Sequence, residues 1–250
     1  MASDTAGTHP TLRVRPDREL WSFVAPRHRR EQVLVRYDGT ASLGHVVQSL
    51  GIPLTEVGAL LVDGVPTEHS QRPGPAATVE IRPVERPQAI RAHFVLDVHL
   101  GTLARRMRLL GIDTAYRNDA EDGALIEQSA REERVLLSKD RGLLRRRALW
   151  SGAFVRGTRP AEQLADVLGR FAPGLNPWTR CLACNGELAA VAKSEVVDEL
   201  EPGTRRCYDV YARCRSCGRV YWRGAHADKL DAIVAEARSM HPDRGEDGRG

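Results

Sequence analysis

The chain has 250 residues, of which 42% are hydrophobic, 28% charged and 5% aromatic. At about 100–200 residues per domain, this length fits one large or two to three small domains, and the composition argues against a disordered chain. The sequence contains no apolar run near the roughly 18 residues of a membrane span, and its start lacks the basic and then apolar pattern of a signal peptide. We therefore expect a cytoplasmic protein with no membrane partner.

The charge is mildly basic. Thirty-seven basic and 33 acidic residues give a formal net charge of +4. Three of the bases are Lys and the other 34 are Arg, a bias typical of genomic base composition. Arginine clusters therefore indicate nucleic-acid binding less strongly here than usual, and the charge permits such a partner without demonstrating one.

The first block, residues 11–85, predicts a β-grasp domain. Strand patterns at 12–15 and 33–37 precede a helical pattern at 42–50, and strand patterns at 59–62 and 78–82 follow it. The segment GALLVDGVP also resembles the ubiquitin-like sulfur carriers. Those carriers act through a free C-terminal Gly-Gly, whereas this block continues into IRPVERPQ. We therefore expect a binding or structural role for the block, which allows a protein partner.

The second block, residues 92–175, predicts an α/β domain. It contains, in chain order, a strand at 93–98, a helix from Leu100 that stops at Gly111, a strand at 112–117, a helix from Asp122, a strand at 134–138, a short basic helix from Arg141, a strand at 153–156 and a helix from Pro160. Four βα units in so short a stretch imply a small parallel sheet covered by helices on both faces.

Three aspartates follow strands of this sheet, where open parallel sheets place their sites. Asp97 ends the first strand, Asp140 follows the third, and Asp122 opens the helix after the second. Converging carboxylates would repel one another unless a cation lay between them, and hard oxygen ligands suit Mg²⁺ or Mn²⁺. Such an ion activates water and stabilises charge on a phosphate, which is phosphodiester hydrolysis. The alternative is that each aspartate only caps a helix, and Asp119 and Glu121 compete with Asp122.

The third block, residues 178–226, carries all five cysteines. Cys181 and Cys184 form one CxxC pair, Cys214 and Cys217 form another, and 29 residues separate the two pairs. Two such pairs match tetrahedral Zn²⁺ ligation by four thiolates, so we expect a structural zinc ribbon. A redox CxxC would leave the second pair unexplained, and Cys207 lies outside both pairs as a free thiol. The remaining residues, 227–250, predict a helix at 228–240 and a disordered tail.

The motifs DVHLGTLARRMRLLGIDT, RNDAEDGALIEQSAREERVLLSKDRGLLRRR, TRCLACNGELAAV and CRSCGRVYWRGAH resemble a known family. It is the PIN-like RNase family named after the C-terminal domain of the mut-seven exonuclease, whose bacterial members also carry an N-terminal ubiquitin-like domain. The resemblance covers roughly residues 12–226 and implies a PIN-like fold that binds Mg²⁺ or Mn²⁺ and cuts RNA. It assigns the acidic site to Asp97, Asp140 and Asp122, with Asp119 as the next candidate for the last position.

Basic residues near these aspartates are candidates for contact with the RNA backbone. They are Arg105, Arg108, Lys139 and Arg141. The alternative is a solvated, Arg-rich surface. His99, two residues from Asp97, and His226, which matches a family position, are expected to have structural roles.

The sequence thus predicts a metal-dependent ribonuclease with a catalytic Mg²⁺ or Mn²⁺ and a structural Zn²⁺. The second hypothesis is a non-catalytic RNA-binding or assembly module whose acidic site is vestigial. PIN-like domains often pair, so the resemblance also allows a homodimer.

Overall fold

The computed structural model describes residues 10–224 and 227–240. Their contacts divide them into two compact units. The first contains residues 10–85 and the segment Asp140–Arg147, and the second contains 86–139 and the described residues from Ala148 onward. Within the described ranges, every helix is too short or too polar to cross a membrane.

The first unit is built on a five-stranded sheet. Its elements are β1 (Thr11–Pro16), β2 (Val33–Arg36), α1 (Leu43–Ser49), β3 (Val57–Val62), β4 (Val65–Pro66) and β5 (Thr78–Pro83). The strand order is β2-β1-β5-β3-β4, with β1 parallel to β5 and the other neighbours antiparallel. This mixed sheet with one crossing helix is the predicted β-grasp fold.

Local sequence explains these elements. Leu12 and Val14 alternate with exposed residues along β1, so one face of the strand lies in the core. Ser42 caps α1 by accepting a hydrogen bond from the His45 N–H at 3.3 Å. The sequence prediction missed the two-residue strand β4, which follows a turn at Asp63 and Gly64 where both residues have positive φ. It also missed three short 3₁₀ helices, at Arg18–Ser22, Pro26–His28 and Leu54–Glu56.

The second unit holds a four-stranded parallel sheet. Its elements are β6 (Phe94–Leu96), α2 (Gly101–Leu109), β7 (Thr114–Tyr116), α3 (Asp122–Arg131), β8 (Val135–Ser138), β9 (Gly152–Phe154) and α4 (Pro160–Phe171). The order is β7-β6-β8-β9, and each neighbouring pair is parallel. The predicted α/β fold is therefore confirmed.

Helices cover both faces of this sheet. Phe94 and Leu96 of β6 lie in a core shared with α2 and α4. Val95 and Leu136 are also buried and, because strand side chains alternate, point to the opposite face. There α3 packs on β6 and β8. The sheet is thus buried on both sides, as its apolar strands predict.

The helix predicted from Arg141 is wrong. The segment contains one 3₁₀ turn, Leu143–Arg145, in the first unit. Leu143 and Leu144 are both buried, but the chain continues with Arg145, Arg146 and Arg147. These three consecutive arginines interrupt the apolar face that a longer helix would need.

The cysteine-rich region forms an antiparallel sheet of three strands. Its elements are β10 (Leu188–Val191), α5 (Lys193–Val196), α6 (Pro202–Cys207), β11 (Tyr211–Cys214) and β12 (Val220–Trp222), followed by α7 (Ala227–Met240). Val234 and Ala237 of α7 lie in the same core as α2 and α4. The predicted C-terminal helix is confirmed, and the predicted disordered tail lies outside the described residues.

Candidate metal centres

The four paired cysteines bring their thiols together. The Sγ atoms of Cys181 and Cys217 are 3.7 Å apart, and those of Cys184 and Cys214 are 3.5 Å apart. With Zn–S bonds of about 2.3 Å, a tetrahedral site has S–S edges of about 3.8 Å. Across residues 10–224 and 227–240, this is the one group of three or more His, Cys, Asp or Glu side chains whose ligand atoms are close enough to share an ion. The geometry fits an ion such as Zn²⁺.

The thiols differ in pKa: burial and the neighbouring cysteine side chains raise the pKa of Cys184 to about 12, whereas hydrogen bonds favour the thiolate of Cys181. The Tyr221 hydroxyl lies 3.0 Å from Cys181 Sγ. Burial raises the pKa of Cys181, but hydrogen bonds from Tyr221 and from the backbone N–H groups of Cys184 and Ala183 outweigh it and lower the pKa to about 6. Burial and this same contact raise the pKa of Tyr221 to about 12, so the phenol remains the donor. A thiolate is the form that binds metal.

Arg108 of α2 joins the first CxxC turn to the parallel sheet. Its side chain is 2% exposed, and its guanidinium donates to the carbonyls of Leu182 and Ala183 at 3.1 and 2.8 Å. The same side chain donates to the carbonyl of Thr114 in β7 at 2.9 Å. The prediction that Arg108 contacts RNA is therefore wrong, because the guanidinium is buried and bound to main-chain oxygens.

A second set of contacts joins the same turn to the sheet. Asn185 accepts from the Thr114 N–H and donates to Asp113, both at 2.9 Å. Asp113 also pairs with Arg134 at 2.6 Å and Arg180 at 3.1 Å. Burial raises the pKa of Asp113, but these hydrogen bonds and positive charges outweigh it and leave the pKa below its ordinary value. The cysteine-rich region is thus built into the second unit.

Asp97 lies directly after β6 and is 6% exposed. Its Oδ2 accepts a hydrogen bond from the Ser138 hydroxyl at the end of β8, at 2.6 Å. Its Oδ1 accepts from the His99 N–H at 3.4 Å and caps a 3₁₀ turn, Val98–Leu100. The carboxylate is therefore both a cap and an oriented group at the carboxyl end of the sheet. The prediction did not include Ser138, although a serine closing an apolar strand is a visible signal.

Asp122 is the first residue of α3 and is exposed. Glu121 occupies the N-cap position without a side-chain cap, so Asp122 is not the N-cap. Asp119 is exposed and pairs with Arg117 at 3.1 Å. The hydrogen bond and charge of Arg117 lower the pKa of Asp119. Asp122 is therefore less engaged by neighbouring cations than Asp119.

Asp140 belongs to the first unit and is exposed. Its Oδ1 accepts a hydrogen bond from the Gly142 N–H at 2.6 Å, and its carbonyl accepts from the Leu144 N–H at 3.2 Å. These bonds form a turn rather than an α-helix cap. Asp140 follows the last residue of β8, Ser138, by two positions.

The other predicted basic residues differ in their contacts. Arg105 is exposed on α2. Lys139 donates to the Gly157 carbonyl at 2.6 Å. Arg141 donates to the carbonyls of Phe23 and Ser22, at 3.0 and 2.8 Å. His99 is exposed, and His226 lies outside the described residues.

The fold and its sites define an α/β protein of PIN-like type, preceded by a β-grasp domain and followed by a four-cysteine ribbon. The family model described as Mut7-C RNAse domain matches residues 92–234, and the model described as Mut7-C ubiquitin matches residues 9–89. The chain belongs to the Mut7-C RNase domain family, as the sequence motifs predict. No curated protein and no solved structure matches it.

Proposed function

We propose that this protein is a metal-dependent ribonuclease that hydrolyses RNA phosphodiester bonds. Asp97, Asp122 and Asp140 would hold Mg²⁺ or Mn²⁺ at the carboxyl ends of the parallel strands. The observation that carries the proposal is the buried Asp97 carboxylate, which the Ser138 hydroxyl orients at the strand end. Family membership in an RNase domain family supports the same chemistry.

The chain's own residues contribute binding and orientation. Carboxylate oxygens are the ligands that Mg²⁺ prefers, and the ion, when bound, supplies an activated water and stabilises charge on the phosphate. The Ser138 hydrogen bond restricts rotation of the Asp97 carboxylate, which pre-organises one ligand. Arg105 is exposed and available to a phosphate, and Lys139 retains two ammonium protons beyond the one given to Gly157.

The remaining parts complete the proposal. The four thiols would hold a structural Zn²⁺, which with four protein ligands would stabilise the fold and would not activate water. The domains run from 11 to 85, 92 to 175 and 178 to 226, with a C-terminal segment at 227–250. The protein acts in the cytoplasm on RNA, and its β-grasp domain offers a surface for a protein partner. Pairing of two PIN-like domains would make a homodimer.

The test is cleavage of a mixed pool of labelled structured and single-stranded RNAs in Mn²⁺. We compare the wild type with Asp97→Asn and Asp140→Asn, which remove a charge while keeping the shape of the side chain. Loss of a metal ligand is expected to lower the cleavage rate by about 100-fold or more. Asp198→Asn is the matched control, because Asp198 is an exposed aspartate in the cysteine-rich region.

Wild-type rates in both Asp97→Asn and Asp140→Asn would contradict the site. Binding of RNA by the wild type with no cleavage in Mn²⁺ or Mg²⁺ would favour the non-catalytic RNA-binding module instead. Zinc content and the midpoint of thermal unfolding, measured for each variant, show whether a lost activity reflects a lost fold.

A further inference from the structure

An aromatic cleft lies inside the second unit, between the cysteine-rich region and α7. Its volume is about 390 Å³, and the residues that line it include Trp178, Thr204, Tyr208, Trp222 and Leu230. The chain has four tryptophans, and two of them line this cleft. Every described residue in the lining is uncharged. The cleft thus gathers aromatic side chains that are scarce elsewhere in the chain.

The backbone holds Trp178 in a conformation that bulky residues rarely adopt. Its φ is +67°, in the left-handed region. Two hydrogen bonds impose this turn, because the Trp178 N–H donates to the Leu109 carbonyl at 3.0 Å and the Asn176 N–H donates to the Leu110 carbonyl at 2.9 Å. Strained backbone of this kind is concentrated at binding sites. The position of Trp178 is therefore an observation, separate from the cleft itself, that points to a ligand.

The three aromatic side chains are anchored in the protein. Trp178 packs against the core shared with α2 and α4, and Tyr208 packs against the cluster that contains Tyr211. The ring of Trp222 lies 6.5 Å from the ring of Tyr211, yet Trp222 is 40% exposed. Gly224 leaves room for the indole, since a Cβ there would lie 2.8 Å from Trp222 Nε1. Anchored rings lose little conformational entropy when a ligand stacks on them.

The cleft also offers hydrogen-bond donors. Within residues 10–224 and 227–240, the Trp222 indole N–H and the hydroxyls of Tyr208 and Thr204 have no hydrogen-bond partner. A nucleobase is a flat, uncharged ring whose edge carries acceptors and donors, and bases of single-stranded RNA stack on aromatic side chains. Aromatic faces together with unpaired donors therefore match a nucleobase better than they match a purely apolar group.

The charges beside the cleft match the phosphate of a nucleotide. Arg223 and Arg206 are both exposed, and the Arg223 guanidinium carbon lies 5.1 Å from the centre of the Trp178 ring. Two nearby aspartates are already paired, Asp209 with Lys193 at 2.8 Å and Asp231 with Arg223 at 2.5 Å. Guanidinium groups bind phosphate oxygens and also stack on rings. An uncharged cleft with exposed arginines beside it fits a neutral base joined to an anionic phosphate.

We propose that the aromatic cleft binds one unpaired base of single-stranded RNA, stacked against the ring of Trp222. The inference rests on the proposed function for the identity of the ligand, RNA, and gives the cysteine-rich region a part in holding it. All of the residues that form the cleft belong to the second unit.

The test measures binding of a labelled single-stranded RNA to the full-length, zinc-loaded protein without Mg²⁺ or Mn²⁺. We compare the wild type with Trp222→Ala, Trp222→Phe and the matched control Trp150→Ala, which removes a 51% exposed tryptophan of the same unit outside the cleft. Loss of one stacked base is expected to weaken binding by Trp222→Ala about tenfold. Trp222→Phe keeps a ring and should recover most of the affinity, and Trp150→Ala should bind as the wild type does. The salt dependence of binding should not change, because no phosphate contact is removed.

A second measurement uses the wild type alone and does not depend on how the variants fold. Single-stranded RNA that carries 5-bromouridine is crosslinked to the protein by ultraviolet light, and the modified peptides are identified by mass spectrometry. We expect crosslinks at Trp178, Tyr208 or Trp222. Crosslinks confined to other residues would overturn the inference.

Three further results would also overturn it. The first is wild-type RNA affinity in Trp222→Ala, and the second is an equal loss of affinity in Trp150→Ala. The third is self-association of the wild type, seen by sedimentation velocity, that Trp222→Ala abolishes without changing RNA affinity, because the cleft would then bind a second copy of the chain.

The inference and the proposed function can fail separately. A wild type that crosslinks to RNA through the cleft but never cleaves it in Mn²⁺ contradicts the nuclease and supports the base-binding cleft. A wild type that cleaves RNA, while Trp222→Ala keeps full affinity for it, contradicts the base-binding cleft alone.

Discussion

The number of arginines near the predicted site is a poor guide to which residues contact RNA. Arg108 and Arg141 were both predicted to bind phosphate, and both direct their guanidinium groups to main-chain carbonyls. Arginine offers five donors in a planar fork, which serves clusters of carbonyls as well as phosphates. Sequence alone does not separate these uses, because most of the accepting carbonyls belong to residues distant in the chain: Leu182 and Ala183 for Arg108, and Phe23 and Ser22 for Arg141.

At the same scale, Asp113 is expected to make stability depend on pH. Its hydrogen bonds and positive neighbours hold its pKa below the ordinary value of 3.8. A carboxyl with a lowered folded-state pKa stabilises the fold above its unfolded pKa, and this contribution is lost as the pH falls through the folded pKa. We expect Asp113→Asn to lower the free energy of unfolding by about 2 kcal/mol at pH 7, and by less at pH 3.

Urea unfolding of the wild type and of Asp113→Asn, compared at pH 7 and again at pH 3, measures this difference in the free energy of unfolding. Asp198→Asn provides the control for loss of an exposed carboxylate. A difference of the same size at pH 3 and pH 7 would show that the charge of Asp113 is not the source of the stabilisation.

At the scale of elements, the first CxxC turn and strand β7 support each other. Arg108 and Asn185 each connect that turn to Thr114. Structural zinc contributes about 10 kcal/mol or more to the folding of small zinc domains, so chelation is expected to unfold the turn. We therefore predict that zinc removal speeds hydrogen exchange in β7 as well as in the cysteine-rich region.

Hydrogen exchange before and after chelation checks this prediction, with β1 of the other unit as the internal control. Re-addition of Zn²⁺ should restore the original rates. Unchanged protection of β7 in protein shown to be free of zinc would mean that the sheet does not depend on the ribbon.

The elements also show what periodicity can predict. Strands β1 and β6 and helix α4 have strong apolar patterns, and each was predicted within a few residues. The turn at Leu143–Arg145 was predicted as a helix because two adjacent leucines satisfy a helical pattern over a single turn. Short elements such as β4 carry too few residues for a periodic signal.

At the scale of the whole molecule, the compact units do not simply follow the order of the chain. The sequence predicts successive domains, but the structure groups Asp140–Arg147 with the N-terminal unit. The Arg141 hydrogen bond to Phe23 joins residues 118 positions apart. Such a contact leaves no local pattern in the sequence, so the place of the Asp140 segment could not be predicted. The zinc ligands could be predicted because their spacing follows a known rule.

The measurement that tests the central claim most directly is the binding of Mn²⁺ to the zinc-loaded protein without RNA. Electron paramagnetic resonance counts free Mn²⁺ during a titration of the wild type and Asp97→Asn. The account predicts saturable binding by the wild type and affinity at least about tenfold weaker in Asp97→Asn, with zinc content unchanged. Equal Mn²⁺ affinity in the two proteins would contradict it, because the carboxylate oriented by Ser138 would then not be a metal ligand.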